Sequence, residues 1–225
     1  MSKEEVVLLD FWASPFCGRV KIALAEKGVE YENREEDVLG SKSELLLNSN
    51  PIHKKVPVLL HNGKPVCEST VIVNYIDEAW PSPPLLPTCP YERARARFWG
   101  DFIDKKVLFS LIFEGGAKIW GSKGEALEVG KKDFIEILKQ LEGTLGEKDF
   151  FCGDNFGFVD ILLIPLTTWF YAYEKFGGFK VEDECPKFSV WVKRCMQRES
   201  VAKALPEPEK VYEAVVMLRK MNGIE

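Results

Sequence analysis

With 225 residues, 46% of them hydrophobic and 29% charged, the chain is long enough for one large or two small domains and has the balance of a folded globular protein. That balance excludes the disordered, collagenous and low-complexity classes. A net charge of -5 excludes attraction through overall basicity to nucleic acid or an acidic membrane surface, so neither is expected as a partner and an anionic ligand needs a local basic patch.

The first residues carry Lys3, Glu4 and Glu5 instead of the basic start and small-residue cleavage site of a signal peptide. Residues 6–12 form a short, nearly continuous apolar run, which predicts a buried central strand. A helix follows, with Ser14 as N-cap, Pro15 at its first position, Val20, Ala23 and Leu24 on its apolar face and Gly28 at its end. Residues 31–35 predict a second strand, exposed on one side, and residues 43–47 a short helix, giving a βαβ start with a parallel pair. Residues 56–60 and 65–67 flank Asn62-Gly63, a dipeptide that accepts the positive φ angles of a type I′ turn, so they predict an antiparallel hairpin. Val71, Ile72, Tyr75 and Ile76 then mark an amphipathic helix capped by Ser69.

Five of the ten residues from Pro81 to Pro90 are proline, which places a linker at 81–90 between domains at 1–80 and 91–225. Beyond it, residues 91–113, 125–145, 158–176, 187–198 and 207–218 all favour helix, with Leu127, Phe134, Leu138, Leu141 and Leu145 on one face of the second. Asp160, behind Gly157, supplies half of a capping box and is read as structural. The longest apolar stretch, 161–173, is too short for a bilayer and holds Pro165, Thr167 and Thr168, so it predicts a buried helix. The fold class is an α/β thioredoxin-like N-terminal domain plus an all-α C-terminal helical bundle.

Six cysteines, Cys17, Cys67, Cys89, Cys152, Cys185 and Cys195, show no C-x-x-C spacing, and only His53 and His61 could join them as metal ligands. No metal is expected, and the thiols are read as free in a reducing, cytoplasmic setting.

The first strand-to-helix junction reads Ser14-Pro15-Phe16-Cys17. Thiol-disulfide exchange needs an attacking thiolate at the first of these positions, and serine cannot supply one. A hydroxyl at a helix N-terminus can instead hold a thiolate that arrives as a ligand. Taken singly, the residues have structural readings: Ser14 and Ser69 as helix caps, Pro57 as a strand-edge proline, Lys42, Lys54 and Lys55 as a solvated loop, and Trp120 and Trp169 as core. Cys17 reads as a small buried hydrophobe or as an oxidation-sensitive thiol.

Over nearly its whole length the chain resembles the plant tau-class glutathione transferases. The resemblance rests on Leu8-Leu9-Asp10-Phe11-Trp12 with Ser14-Pro15-Phe16, on residues 25–28 and 50–57, on 61–65 with Glu68-Ser69, on Phe98-Trp99 and on residues 157–160. It implies a detoxifying cytosolic homodimer that conjugates reduced glutathione, used as a co-substrate with no other cofactor, to hydrophobic electrophiles, with peroxidase activity as a second outlet. Ser14 would stabilise the glutathione thiolate. Val56, before a cis Pro57, would pair with the cysteinyl backbone, Glu68 and Ser69 would hold the γ-glutamyl end, and Lys42 and Lys55 the glycyl carboxylate. Phe16, Trp120, Trp169 and Leu218 would line the acceptor site. The loop 38–42 departs from the family pattern in lacking an asparagine before Lys42. The alternatives are a noncatalytic carrier of hydrophobic ligands and a thiol-transferase or dehydroascorbate-type reductase, for which Cys17 is the candidate thiol.

Overall fold

In the computed structural model, described for residues 4–108, 112 and 114–224, the chain divides into two compact units, Met1–Leu86 and Pro87–Glu225. The division falls inside the proline-rich stretch.

The first unit runs β1 (Val6–Asp10), α1 (Pro15–Glu26), β2 (Glu32–Glu35), α2 (Glu44–Ser49), β3 (Val58–His61), β4 (Lys64–Cys67) and α3 (Ser69–Ala79). The sheet has the order β2-β1-β3-β4, with β1 parallel to β2 and antiparallel to β3. All of β1 is buried, as its apolar run requires. Side chains alternate across the pleat, so Val7, Leu9, Val58 and Leu60 share one face and pack with Leu46 of α2. Leu8 and Leu59, paired in register, are fully buried on the other. The residues of β2 are exposed throughout, where the sequence predicted one buried side: its charged side chains suit an edge strand. Asn62 and Gly63 both take positive φ, +50° and +75°, in the hairpin turn.

Two boundaries follow from backbone chemistry. Gly28 at φ +64° lets the end of α1 fold back, its N–H bonding the Ala25 carbonyl at 3.0 Å. The proline-rich segment is tied down by Asp77, which accepts from Lys27 Nζ at 2.6 Å and from the N–H groups of Leu85 and Leu86 at 2.7 and 3.2 Å. The Lys27 side chain is fully buried and also donates to the Pro83 carbonyl.

The second unit is helical: α4 (Pro90–Phe102) continues through a π-helical segment at Ile103–Val107, followed by α5 (Gly115–Gly121) and α6 (Glu125–Leu145). Then come α7 (Phe158–Leu163), a 3-10 segment at Ile164–Trp169, α8 (Phe170–Gly177), α9 (Val181–Glu184), α10 (Pro186–Met196), α11 (Glu199–Ala202) and α12 (Pro208–Met221). The helix expected over 158–176 is interrupted near Pro165, which has no N–H to continue an α-helical ladder. The end of the helix expected over 91–113 lies partly outside the described residues. Phe134, Leu138, Leu141 and Leu145 of α6 are buried together and Leu127 is half-buried. Phe134 packs edge-on against Phe170 and Tyr173 at centroid distances of 5.0 and 5.4 Å. Among the described residues no helix is long and apolar enough to cross a membrane.

Candidate functional site

Ser14 is half-buried at the mouth of α1, its backbone extended (φ -78°, ψ 117°) and its Oγ accepting the Cys17 N–H at 3.3 Å. The cap uses a lone pair of the hydroxyl and leaves its single proton available for another acceptor. Cys17, one turn on, is fully buried, and burial together with the Asp10 carboxylate pushes its thiol up to about 12. At neutral pH that sulfur is a neutral, packed group.

The peptide bond between Val56 and Pro57 is cis, and β3 begins only at Val58. Among the described residues the backbone N–H and carbonyl of Val56 have no hydrogen-bond partner, so both are open to a peptide-like ligand. Just before Val56, the buried Asn50 shapes the loop: its Nδ2 donates to the Lys55 carbonyl at 3.0 Å and its Oδ1 accepts the His53 N–H at 3.2 Å. Lys42 Nζ donates to the Lys54 carbonyl at 2.9 Å, which places the Lys42 head group beside the backbone that leads into Lys55. Lys55 itself is exposed.

Glu68 precedes α3 with φ +70° and ψ 116°, a backbone conformation that side chains rarely adopt and that costs on the order of 1 to 3 kcal/mol. Its exposed carboxylate lies 3.8 Å from His53 Nε2. Glu68 stands at the cap position of α3 but makes no side-chain cap hydrogen bond. Ser69 is not the cap that the sequence predicts but the first residue of the helix, and its Oγ accepts from Arg19 Nη1 at 3.1 Å. Arg19, on α1 and fully buried, also donates to Thr70 Oγ1 at 3.4 Å and lies 5.5 Å from the Phe16 ring centroid. It ties α1, which Ser14 caps, to α3, which starts at Ser69. The links from Arg19 to Ser69 and Thr70 and the loop contacts of Asn50 are not expected from the sequence. A basic residue on the inner face of an otherwise apolar helix, and an asparagine heading a proline loop, were the available signals.

Phe16 belongs to the first unit and is half-buried. In the second unit Trp120 closes α5, Trp169 lies 6.5 Å from the Tyr173 ring, and Leu218 sits half-buried on α12. Asp160, on α7, is fully buried, its Oδ1 accepting from the Phe151 N–H (3.0 Å) and the Trp191 indole N–H (2.8 Å), its Oδ2 from the Gly157 N–H (3.1 Å). Among the described residues no group of three or more His, Cys, Asp and Glu side chains is arranged to hold a metal ion.

Residues 4–78 match the model of the glutathione S-transferase N-terminal domain and residues 107–199 that of the C-terminal domain. Glutathione S-transferase U19 of Arabidopsis thaliana is 62% identical over 217 residues, which cover 96% of either chain. The crystal structure of rice GST1 in complex with glutathione superposes with a TM-score of 0.91 at 49% identity, covering 98% of this chain and 99% of that one. The tau-class glutathione S-transferase of mango superposes with a TM-score of 0.87 at 41% identity, covering 95% of this chain and 98% of that one. With its thioredoxin-like and helical units matched over their length, this chain belongs to the glutathione S-transferase family, in its tau class, and is a transferase that conjugates glutathione as co-substrate.

Proposed function

We propose that the enzyme holds the sulfur of reduced glutathione at Ser14 and stabilises it as a thiolate, which then attacks an electrophilic carbon in an apolar acceptor site. The observation that carries this reading is the hydroxyl geometry: Oγ accepts from Cys17 N–H, and its proton is available to a sulfur at the helix mouth. A hydrogen bond to a charged group contributes about 1.5 to 3 kcal/mol, which lowers a thiol pKa by roughly one to two units. A thiol starting near 8.5 to 9 then reaches about 7 and is roughly half ionised at neutral pH. The same anion can attack the outer oxygen of a hydroperoxide, forming an S–O bond as the O–O bond breaks and the alcohol leaves, and a second glutathione then displaces water from the sulfenic acid to give the disulfide.

The rest of the tripeptide follows the chemistry of the first unit, Met1–Leu86. Val56 offers a strand-like donor and acceptor to the cysteinyl backbone, the first turn of α3 at Ser69 receives the γ-glutamyl carboxylate, and Glu68 meets its ammonium. Lys42, whose head group lies on the main chain just before Lys55, and Lys55 itself neutralise the glycyl carboxylate. Phe16 and, from the helical unit Pro87–Glu225, Trp120, Trp169 and Leu218 supply apolar surface for hydrophobic electrophiles. We place the enzyme in the cytoplasm as a homodimer. Side chains such as Ile52, Tyr91 and Phe98, which are 84%, 69% and 61% exposed in the single chain, give a partner copy apolar surface to cover.

A thiol-transferase route through Cys17 is opposed by the burial of that thiol. The test of the proposed mechanism is Ser14→Ala. Glutathione affinity, read by calorimetry, is expected to stay within about threefold, while turnover with a halonitrobenzene at neutral pH falls about tenfold or more and recovers in part toward alkaline pH. Unchanged turnover at neutral pH would remove Ser14 from the mechanism.

A further inference from the structure

Arg219, in the last turn of α12, is 4% exposed. Its Nη1 donates to the main-chain carbonyl of Trp120, and its guanidinium lies 4.3 Å from the centroid of the Phe176 ring. The Trp120 carbonyl belongs to the last turn of α5, whose closing carbonyls have no partner within the helix. Phe176 is on α8, so one side chain fastens α12, α5 and α8 together.

Packing alone does not account for an arginine there. A buried guanidinium carries a desolvation cost that methionine or leucine of similar volume avoids. What it adds is a charged donor at the Trp120 carbonyl together with a cation 4.3 Å from the centre of the Phe176 ring. The link has a residue of the proposed acceptor site at either end: the carbonyl it holds is that of Trp120, and its neighbour on α12 is Leu218.

We propose that Arg219 is a positioning residue for the transfer reaction, setting the spacing between Trp120 and Leu218 and hence the fit of a planar, apolar electrophile. This inference rests on the acceptor-site reading above. It assigns Arg219 no contact with glutathione and no part in ionising its sulfur.

The test compares KM for a halonitrobenzene with KM for reduced glutathione in the wild type, Arg219→Met, Arg219→Lys, Trp120→Ala and the Trp120→Ala/Arg219→Met double variant. Arg219→Met is expected to raise the electrophile KM about five- to tenfold and to leave the glutathione KM within about twofold. Arg219→Lys should fall between it and the wild type, because an ammonium can still donate to the carbonyl but lacks the broad guanidinium surface beside Phe176. Trp120→Ala should raise the electrophile KM as well, and adding Arg219→Met to it should change little more, since both act on one wall. An unchanged electrophile KM in the arginine variants, or equal rises in both KM values, overturns the proposal. If Arg219→Met does not fold, Arg219→Lys decides alone by the same criterion. A Trp120→Ala variant with normal electrophile KM sinks the acceptor-site reading itself, whereas a raised KM there with normal arginine variants sinks only the positioning role.

Discussion

Replacing Asp160 by asparagine should change how stability depends on pH. The carboxyl is fully buried, and burial raises it from 3.8 to about 6 even though the N–H groups of Phe151 and Gly157 and the Trp191 indole favour the anion. The folded protein therefore keeps this proton to a higher pH than the unfolded chain. The stability it contributes is fully present below about pH 4 and is lost as pH rises through about 6. A difference of about 2 pH units corresponds to about 3 kcal/mol. Asparagine can keep one oxygen on Phe151 and Trp191 but turns an amide toward the Gly157 N–H, so it forfeits one hydrogen bond at a cost of about 1 to 3 kcal/mol at any pH. Asp160→Asn should thus be clearly less stable than wild type near pH 4 and equal to it or more stable near pH 7. Urea unfolding followed by tryptophan fluorescence, at one protein concentration and at several pH values, measures the gap between the two curves. Curves that stay parallel, or a gap that widens with pH, would refute the reasoning.

Two further substitutions test neighbouring conclusions. Cys17→Ala should retain at least about half of the conjugating activity, because a thiol held up to about 12 supplies almost no thiolate at neutral pH; a drop comparable with that of Ser14→Ala would show that Cys17 takes part in the chemistry. Asp77→Ala should lower stability by about 3 to 5 kcal/mol, since it strands the buried Lys27 ammonium and releases the Leu85 and Leu86 N–H groups. It should also open the proline-rich segment to limited proteolysis, and a loss below about 1 kcal/mol with an unchanged cleavage pattern would contradict that role.

The first unit was legible because its signals are local. Asn62-Gly63 specifies its turn through backbone freedom alone, and Ser14-Pro15 specifies a helix start through one hydroxyl and one missing N–H. The errors arise where a distant side chain takes over a local group. Ser69 looks like a cap until Arg19, fifty residues earlier, claims its hydroxyl and Glu68 takes the cap position in a strained backbone. The short helix at Gly115–Gly121 escaped notice because its glycines lower helix propensity, and Gly130 of α6 explains why it packs there: a Cβ at that position would meet the Gly115 carbonyl at 2.8 Å. The candidate glutathione residues were legible only as a set, since Lys42, Val56 and Glu68 each have an ordinary structural reading. Their significance lies in a donor, an open peptide group and a costly backbone angle that no periodicity encodes.

The two outer strands of the sheet have a bearing on how the protein behaves at high concentration. One side presents Glu32, Asn33, Arg34 and Glu35, with Arg34 and Glu32 paired at 2.7 Å, and the other presents Lys64 and Pro65, the latter without an N–H to offer. A strand from another molecule approaching either flank would have to bury charge or forgo a ladder bond. Strand-by-strand polymerisation is thereby discouraged at both margins, so an abundant enzyme of this sequence can crowd together without its sheets growing into one another.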